Sequence, residues 1–222
     1  MTIAVIDYGS GNLRSVAKAF ERVVTTLGLN ENVVVTADPK DVSRANRIVL
    51  PGVGAFADCA RGLSELPGMI EALVATVLER RRPFLGICVG MQLLAARGLE
   101  HGEHAGLNWI AGDVVRLQPR GPSFKVPHIG WNTISVKSSK HPVIRALAEQ
   151  TAGQGDEKPH AYFVHSYVFR PIDSQMVLST TDYGGLFPAI VGRDNILGAQ
   201  FHPEKSQRVG LALIGAFLKW RP

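Results

Sequence analysis

Cysteine is scarce in this sequence: Cys59 and Cys88 are the two among 222 residues. They could pair, but a chain of this length buries a core without a disulfide framework. Long apolar runs are missing too, and none approaches the ~20 residues of a membrane helix. The N-terminus, Met-Thr-Ile-Ala-Val-Ile-Asp7, meets an acid before a secretory hydrophobic region is complete. These absences predict free thiols, no membrane partner and a reduced, cytoplasmic setting. Charge of one sign is not concentrated. Lys+Arg 24 against Asp+Glu 19 leaves +5, scattered apart from Arg80-Arg81-Arg82. With neither a basic stripe nor a recognised motif, no nucleic-acid partner is expected. No Cys/His spacing suits zinc, so no metal is expected. Hydrophobic residues at 45% and charged residues at 19% exclude a disordered chain and a coiled coil. Internal repeats and low-complexity linkers are absent, and one domain over 1–222 is expected.

What is present has a clear rhythm. Ile3–Asp7 reads as a strand. Leu13, Val16, Ala17, Phe20, Val23, Val24 and Leu27 then recur at helical steps, with Gly28 at the C-cap position. Val33–Thr36, Arg47–Leu50 and Phe84–Ile87 read as strands, Ile70–Leu78 as a helix, and Met91–Ala96 as the opening of another. This alternation predicts an α/β fold, a doubly wound and mainly parallel sheet with flanking helices. The strands are nearly all apolar, as strands covered on both faces should be. The second half adds strands joined by turns, which adds antiparallel pairing: Asp113–Leu117, Asn132–Lys137, Ala161–Phe169, Gln175–Thr181, Ala189–Gly192 and Ile196–Phe201. A last helix, capped by Ser206, is lined by Val209, Ala212, Leu213, Ala216 and Phe217. Gln150–Lys158 is polar and glycine-rich, and reads as a surface loop.

Gly86-Ile-Cys88-Val-Gly90-Met-Gln92 falls where a buried strand meets a helix. A small residue on each side of a nucleophile permits a sharp turn that lifts the side chain clear of the sheet. A helix N-terminus also favours thiolate. Most free cysteines are simply buried, and Cys59, between glycine-rich turns, is assigned that way. The two glycines assign Cys88 to chemistry. A cysteine nucleophile needs a base, and His202 stands in Phe201-His202-Pro203-Glu204. Pro203 pushes His202 into an extended conformation, where residues i and i+2 face the same way. Glu204 can then orient the imidazole, giving a Cys/His/Glu triad by role. Alone, the His-Pro-Glu run is a surface turn. Pro51-Gly52-Val53-Gly54 follows a buried strand and is equally a plain turn or an oxyanion-hole wall. Gly9-Ser10-Gly11-Asn12-Leu13-Arg14 lacks the third glycine of a dinucleotide fingerprint and reads as a tight β–α turn, so no cofactor is expected. By themselves Trp131 and Tyr162 are ordinary core aromatics.

Together these segments resemble the class I (triad) glutamine amidotransferases over nearly the whole chain. Asp7-Tyr-Gly-Ser-Gly-Asn12, Pro127-His-Ile-Gly-Trp-Asn132, Tyr162-Phe-Val-His-Ser-Tyr167 and Phe201-His-Pro-Glu-Lys-Ser206 are most similar to the free-standing glutaminase subunits of histidine biosynthesis. Met91 is the narrower cue within the elbow. Arg97-Gly-Leu-Glu100 departs from the Ser-Glu-Glu often seen there, though Glu100 keeps the last position. The resemblance implies L-glutamine as substrate and Cys88, His202 and Glu204 as the triad. It implies an oxyanion hole from Val89 and the Val53–Gly54 loop, and substrate contacts from Gly54, Gln92, Glu100, Ser166 and Tyr167. It implies a separate acceptor, a (β/α)8 cyclase subunit in a 1:1 heterodimer, docked on Asn12, Trp131, Tyr162 and Lys205. A glutaminase of this kind should rest with an incomplete site, and the two glycines of Pro51–Gly54 allow one peptide there to flip. Three rival readings remain. A subunit serving another synthase is opposed by Trp131 and Met91. A cysteine hydrolase of the same fold is opposed by Gln92 and Tyr167, and a catalytically silent subunit by the intact triad.

Overall fold

The computed structural model describes residues 1–136, 141–151 and 158–222, with Val136 described by its backbone alone. Most of the expected Gln150–Lys158 loop, and Lys137, lie outside the described residues. The first half alternates as its apolar runs require. It comprises β1 (Thr2–Ile6), α1 (Leu13–Thr26), β2 (Asn32–Thr36), α2 (Pro39–Arg44), β3 (Arg47–Gly52) and α3 (Phe56–Ser64). Then come α4 (Met69–Leu73, continued as a π-helix over Val74–Glu79), β4 (Phe84–Cys88) and the one-turn α5 (Val89–Gln92). The second half is mostly strand: β5 (Arg97–Gly98), β6 (His104–Ala105), β7 (Gly112–Arg116), β8 (His128–Thr133) and β9 (Ser135–Val136). After α6 (Pro142–Thr151) follow β10 (His160–His165), β11 (Tyr167–Pro171), β12 (Val177–Asp182), β13 (Leu186–Arg193), β14 (Ile196–Ala199) and α7 (Gln207–Lys219).

The main sheet has eight strands in the order β2-β1-β3-β4-β14-β13-β12-β9. From β2 to β14 the neighbours are parallel; β13, β12 and β9 add antiparallel pairs. β3, β4 and β14 are buried along their whole length, which is why, Arg47 apart, their sequences are apolar runs. β10 pairs with β8, and β11, β7, β5 and β6 form a four-stranded sheet. At the amino end of β3, Arg47 is fully buried and donates to the carbonyls of Phe217 (3.1 Å) and Trp220 (3.0 Å). Its guanidinium lies 3.6 Å from the Glu31 carboxylate. This cation ties the end of α7 to the edge of the sheet opposite the strand carboxyl ends.

Several expectations are corrected. α2, α3 and α6 are short and mix polar with apolar residues, so they lack the long period that marked α1. The run Met91–Ala96 is not an extended helix: after Gln92 the chain turns, and Ala96 N–H already bonds Gly112 C=O at 3.0 Å. Apart from Gln92 its residues are apolar because all but the half-buried Ala96 are packed into the core. The expected strand Ala161–Phe169 breaks at Ser166, and its halves join different sheets. Ser206 does not cap α7 through its side chain. Its hydroxyl donates to His202 C=O (2.7 Å) and accepts the Tyr162 N–H (2.9 Å).

Candidate active site

Adjacent strands bring Gly52 and Cys88 side by side at their carboxyl ends. Cys88 has φ 55° and ψ −110°, a sparsely populated conformation that costs on the order of 1–3 kcal/mol. The flanking glycines make it possible: a Cβ on Gly90 would strike the Leu50 carbonyl, and one on Gly86 the Gly90 carbonyl. The thiol is 3.8 Å from Gln200 Nε2 and 3.8 Å from the Val164 carbonyl. Val89 opens α5, whose first N–H groups have no partner within the helix.

His202 comes from the far half of the chain. Its Nδ1 lies 2.9 Å from Glu204 Oε1, and both side chains are buried. His202 is extended as expected, with φ −96° and ψ 99°, but the segment does not continue that way. Pro203–Lys205 is a 3-10 turn, and the turn brings the carboxylate back to the ring. With Nδ1 on Glu204, Nε2 is the nitrogen left for chemistry. Burial pulls the His202 imidazolium down, but interaction with the Cys88 sulfur and with Glu204 outweighs it, raising the pKa to about 10. Glu204 Oε2 is buried without a hydrogen-bond partner among the described residues.

A cavity of about 450 Å³ opens over these groups. Val53, Gly54, Cys88, Val89, Gln92, Glu100, Ser166, Tyr167, His202 and Lys205 all line it. Their contacts differ from simple expectation. Gln92 Nε2 donates to Tyr167 C=O (3.0 Å) and Gln200 Oε1 (3.1 Å). Glu100 Oε2 accepts the Phe56 N–H at 2.7 Å, anchoring the start of α3 directly after the Pro51–Gly54 loop. The Val53 N–H does not face the nucleophile. It donates to Ser10 Oγ (3.1 Å), while the Ser10 hydroxyl donates to Val53 C=O (2.6 Å). One hydroxyl thus clasps both ends of Val53. Cys59 is buried, but in α3 rather than between turns. Its thiol donates to the same Val53 carbonyl at 3.4 Å and lies 3.3 Å from Ser10 Oγ. Tyr8 completes the support by donating to Pro51 C=O at 2.6 Å.

On the rim, Trp131 is 48% exposed. Its ring meets Tyr162 edge-on at 5.8 Å, and Lys205 Nζ sits 5.8 Å over the Tyr162 ring. These three form one cluster. Asn12 stands at the start of α1 and makes no side-chain cap hydrogen bond. Sequence reasoning missed Ser10, Gln200, His128 and His165 as participants. Ser10, His128 and His165 lie inside the quoted motifs, which were the available signal. Among the described residues no group of three or more His, Cys, Asp or Glu could hold a metal ion. Among those residues no helix is long and apolar enough to cross a membrane.

The glutamine amidotransferase class-I family matches residues 4–218. The chain is 56% identical over 222 residues to "Imidazole glycerol phosphate synthase subunit HisH" of Brucella suis biovar 1 (strain 1330), covering 100% of both chains. It is 54% identical, again over 100% of both, to the protein of the same name from Rhodopseudomonas palustris. A crystal structure described as a glutamine amidotransferase shares the fold at TM-score 0.64 and 19% identity, covering 96% of this chain and 98% of that one. A glutamine amidotransferase from Thermotoga maritima does so at TM-score 0.58 and 17% identity, covering 94% and 78%.

Proposed function

This chain belongs to the class-I glutamine amidotransferases, and from that premise we propose that it is the glutaminase subunit of an imidazole glycerol phosphate synthase, with Cys88, His202 and Glu204 as its catalytic triad. The observation that carries the reading is Cys88 at φ 55° over a cavity, served by a His202–Glu204 pair at 2.9 Å.

The Cys88 thiolate attacks the side-chain amide carbon of glutamine, forming a C–S bond. The developing oxyanion is held by the Val89 N–H and by a Val53 or Gly54 N–H once the loop turns. His202 Nε2 hands its proton to the leaving nitrogen as the C–N bond breaks, releasing ammonia and leaving a thioester. His202 then takes a proton from water, which cleaves the thioester to glutamate and returns the thiol. Glu204 keeps Nδ1 protonated and stabilises the imidazolium. Gly54, Gln92, Glu100, Ser166 and Tyr167 hold the substrate.

Ammonia must pass to its acceptor before water protonates it. The partner is a (β/α)8 cyclase in a 1:1 cytoplasmic heterodimer, seated over the strand carboxyl ends where Trp131, Tyr162 and Lys205 cluster, with Asn12 at the same face. The Val53 N–H held by Ser10 supports a resting state that needs this partner. Ammonia release from glutamine, measured with and without the cyclase and its nucleotide ligand, tests the assignment. Release that survives Cys88→Ala overturns it.

A further inference from the structure

Two histidines not used in this chemistry lie buried between the rim and the cavity. His128 on β8 and His165 on β10 are paired in register. His128 Nδ1 approaches His165 Nε2 at 3.0 Å. His165 lines the cavity, and its Nδ1 is 3.0 Å from the Tyr167 carbonyl oxygen. On the outer side, Asn132 Nδ2 lies 3.4 Å from His128 Nε2.

Both ends of this row set the same polarity. A carbonyl oxygen only accepts, so His165 carries its proton on Nδ1 and, being neutral, accepts at Nε2. At the outer end, Asn132 Oδ1 accepts the Thr133 N–H at 2.8 Å and Nδ2 donates to Asp182 C=O at 2.8 Å. The amide orientation is fixed, and its second hydrogen faces His128 Nε2. His128 therefore also carries its proton on Nδ1. The two polarities meet at the ring–ring bond without conflict. The row runs one way, from Asn132 through His128 and His165 to Tyr167 C=O. Burial keeps both rings neutral, with the His128 pKa lowered to about 4 and that of His165 to about 3. Gln92 Nε2 donates to the same Tyr167 oxygen at 3.0 Å, so both of its lone pairs are engaged.

We propose that His165, locked in its Nδ1–H tautomer by the row from Asn132 through His128, is a positioning residue that fixes the Ser166–Tyr167 wall for glutamine. The proposal rests on the reading of the cavity as a glutamine site. In the other tautomer His165 would aim a lone pair at Tyr167 C=O and a proton at the His128 N–H. Both bonds would be lost, and Gln92 alone would hold the carbonyl. The competing account is plain packing, since His128 stacks on Phe163 (4.9 Å) and Tyr183 (4.0 Å). A ring without nitrogens keeps the packing and cuts the row, so His128→Phe separates the two accounts.

The test combines nitrogen NMR of ¹⁵N-histidine-labelled full-length chain with glutamine kinetics in the cyclase complex. In the wild type, His128 and His165 should both appear as Nδ1–H tautomers. In His128→Phe, His165 Nε2 loses its donor, so its nitrogen resonance should move to that of an unbonded acceptor while Nδ1 stays protonated against Tyr167 C=O. Glutamine KM should rise about three- to tenfold, the worth of one net hydrogen bond, with kcat within about twofold. His165→Asn, whose amide can still donate to Tyr167 C=O, should recover much of the KM lost in His165→Leu. That pair decides the matter if His128→Phe fails to fold. A wild-type Nε2–H tautomer at His165 overturns the proposal, as does an unmoved KM in folded His128→Phe. A wild-type complex that releases no ammonia overturns the functional reading, and the proposal with it.

Discussion

Replacing Ser10 by alanine should switch on the isolated chain. The Ser10 hydroxyl makes two bonds to one residue, at 3.1 Å to Val53 N and 2.6 Å to Val53 O. Removing it frees the Val53 N–H and leaves the Val53 C=O held by the weaker Cys59 thiol contact at 3.4 Å. Each lost bond is worth about 0.5–1 kcal/mol net at a partly exposed site. The latched state therefore loses on the order of 1–2 kcal/mol against any state in which the N–H faces the nucleophile. At about 1.4 kcal/mol per factor of ten, the turned population grows roughly 5- to 30-fold. One oxyanion donor is worth on the order of 10²–10³ in rate, so basal turnover should follow that population. The assay is glutamate formation by the isolated chain at saturating glutamine, coupled to glutamate dehydrogenase. Basal kcat should rise by the same roughly 5- to 30-fold, while the rate with cyclase and nucleotide stays near wild type. Ser10→Thr, which keeps a hydroxyl, should stay latched. A folded Ser10→Ala chain with unchanged basal kcat, or one that loses both rates together, refutes the latch.

A glutamine-like alkylating agent should give a single adduct, on Cys88, by mass spectrometry, because Cys59 is fully buried under the loop; an adduct on Cys59 alone would reassign the nucleophile. His202→Asn should be nearly inactive and Glu204→Gln less so, since the carboxylate acts through the ring; comparable turnover by His202→Asn and wild type with the partner present contradicts the triad. Trp131→Ala should weaken association with the cyclase or leak ammonia, read by titration and by free ammonia, and Lys205→Ala should do so more mildly; wild-type affinity and leakage in Trp131→Ala place the docking face elsewhere. Acid should destabilise the fold through its buried histidines. The unfolded chain takes up protons on His128 and His165 near pH 6.5, while the folded chain does not until about 4 and about 3. Stability should therefore fall as pH drops through that window, by about 1.4 kcal/mol per pH unit for each ring. In urea titrations His128→Phe should show a shallower fall, and an identical slope counts against a neutral buried His128.

The parallel half of the fold is readable because β3 beyond Arg47 and β4 are covered on both faces and must be apolar there; Ile196–Ala199, grouped by sequence with the antiparallel strands, instead pairs parallel with β4. Cys88 is readable because Gly86 and Gly90 have no other reason to flank it: each lies where a Cβ would hit backbone. Met91–Ala96 misleads for a related cause. Burial on all sides makes any run apolar, whether or not it is helical. Glu204 is placed beside His202 by a turn that the dipeptide does not announce. The Ser10 clasp is not legible at all, since it joins positions separated by 43 residues and a serine in a glycine-rich turn carries no sign of its partner. The polarity of the histidine row depends likewise on Asp182 fixing an amide on another strand.

The order in which the chain is synthesised gives the strand sequence of the main sheet a further meaning. β4, which ends in the thiol, has β3 as its only early neighbour. Its other edge waits for β14, and Gln200, which approaches the thiol, comes 112 positions later. His202 follows immediately. A nascent or prematurely terminated chain thus carries the proposed nucleophile with neither its proposed base nor the far wall, whatever else of it has folded. The last strand to join the parallel core is the one that arms the site. On the proposed triad, ammonia release requires synthesis through His202 and Glu204, so a fragment cut anywhere before β14 should be silent however well its first half is folded.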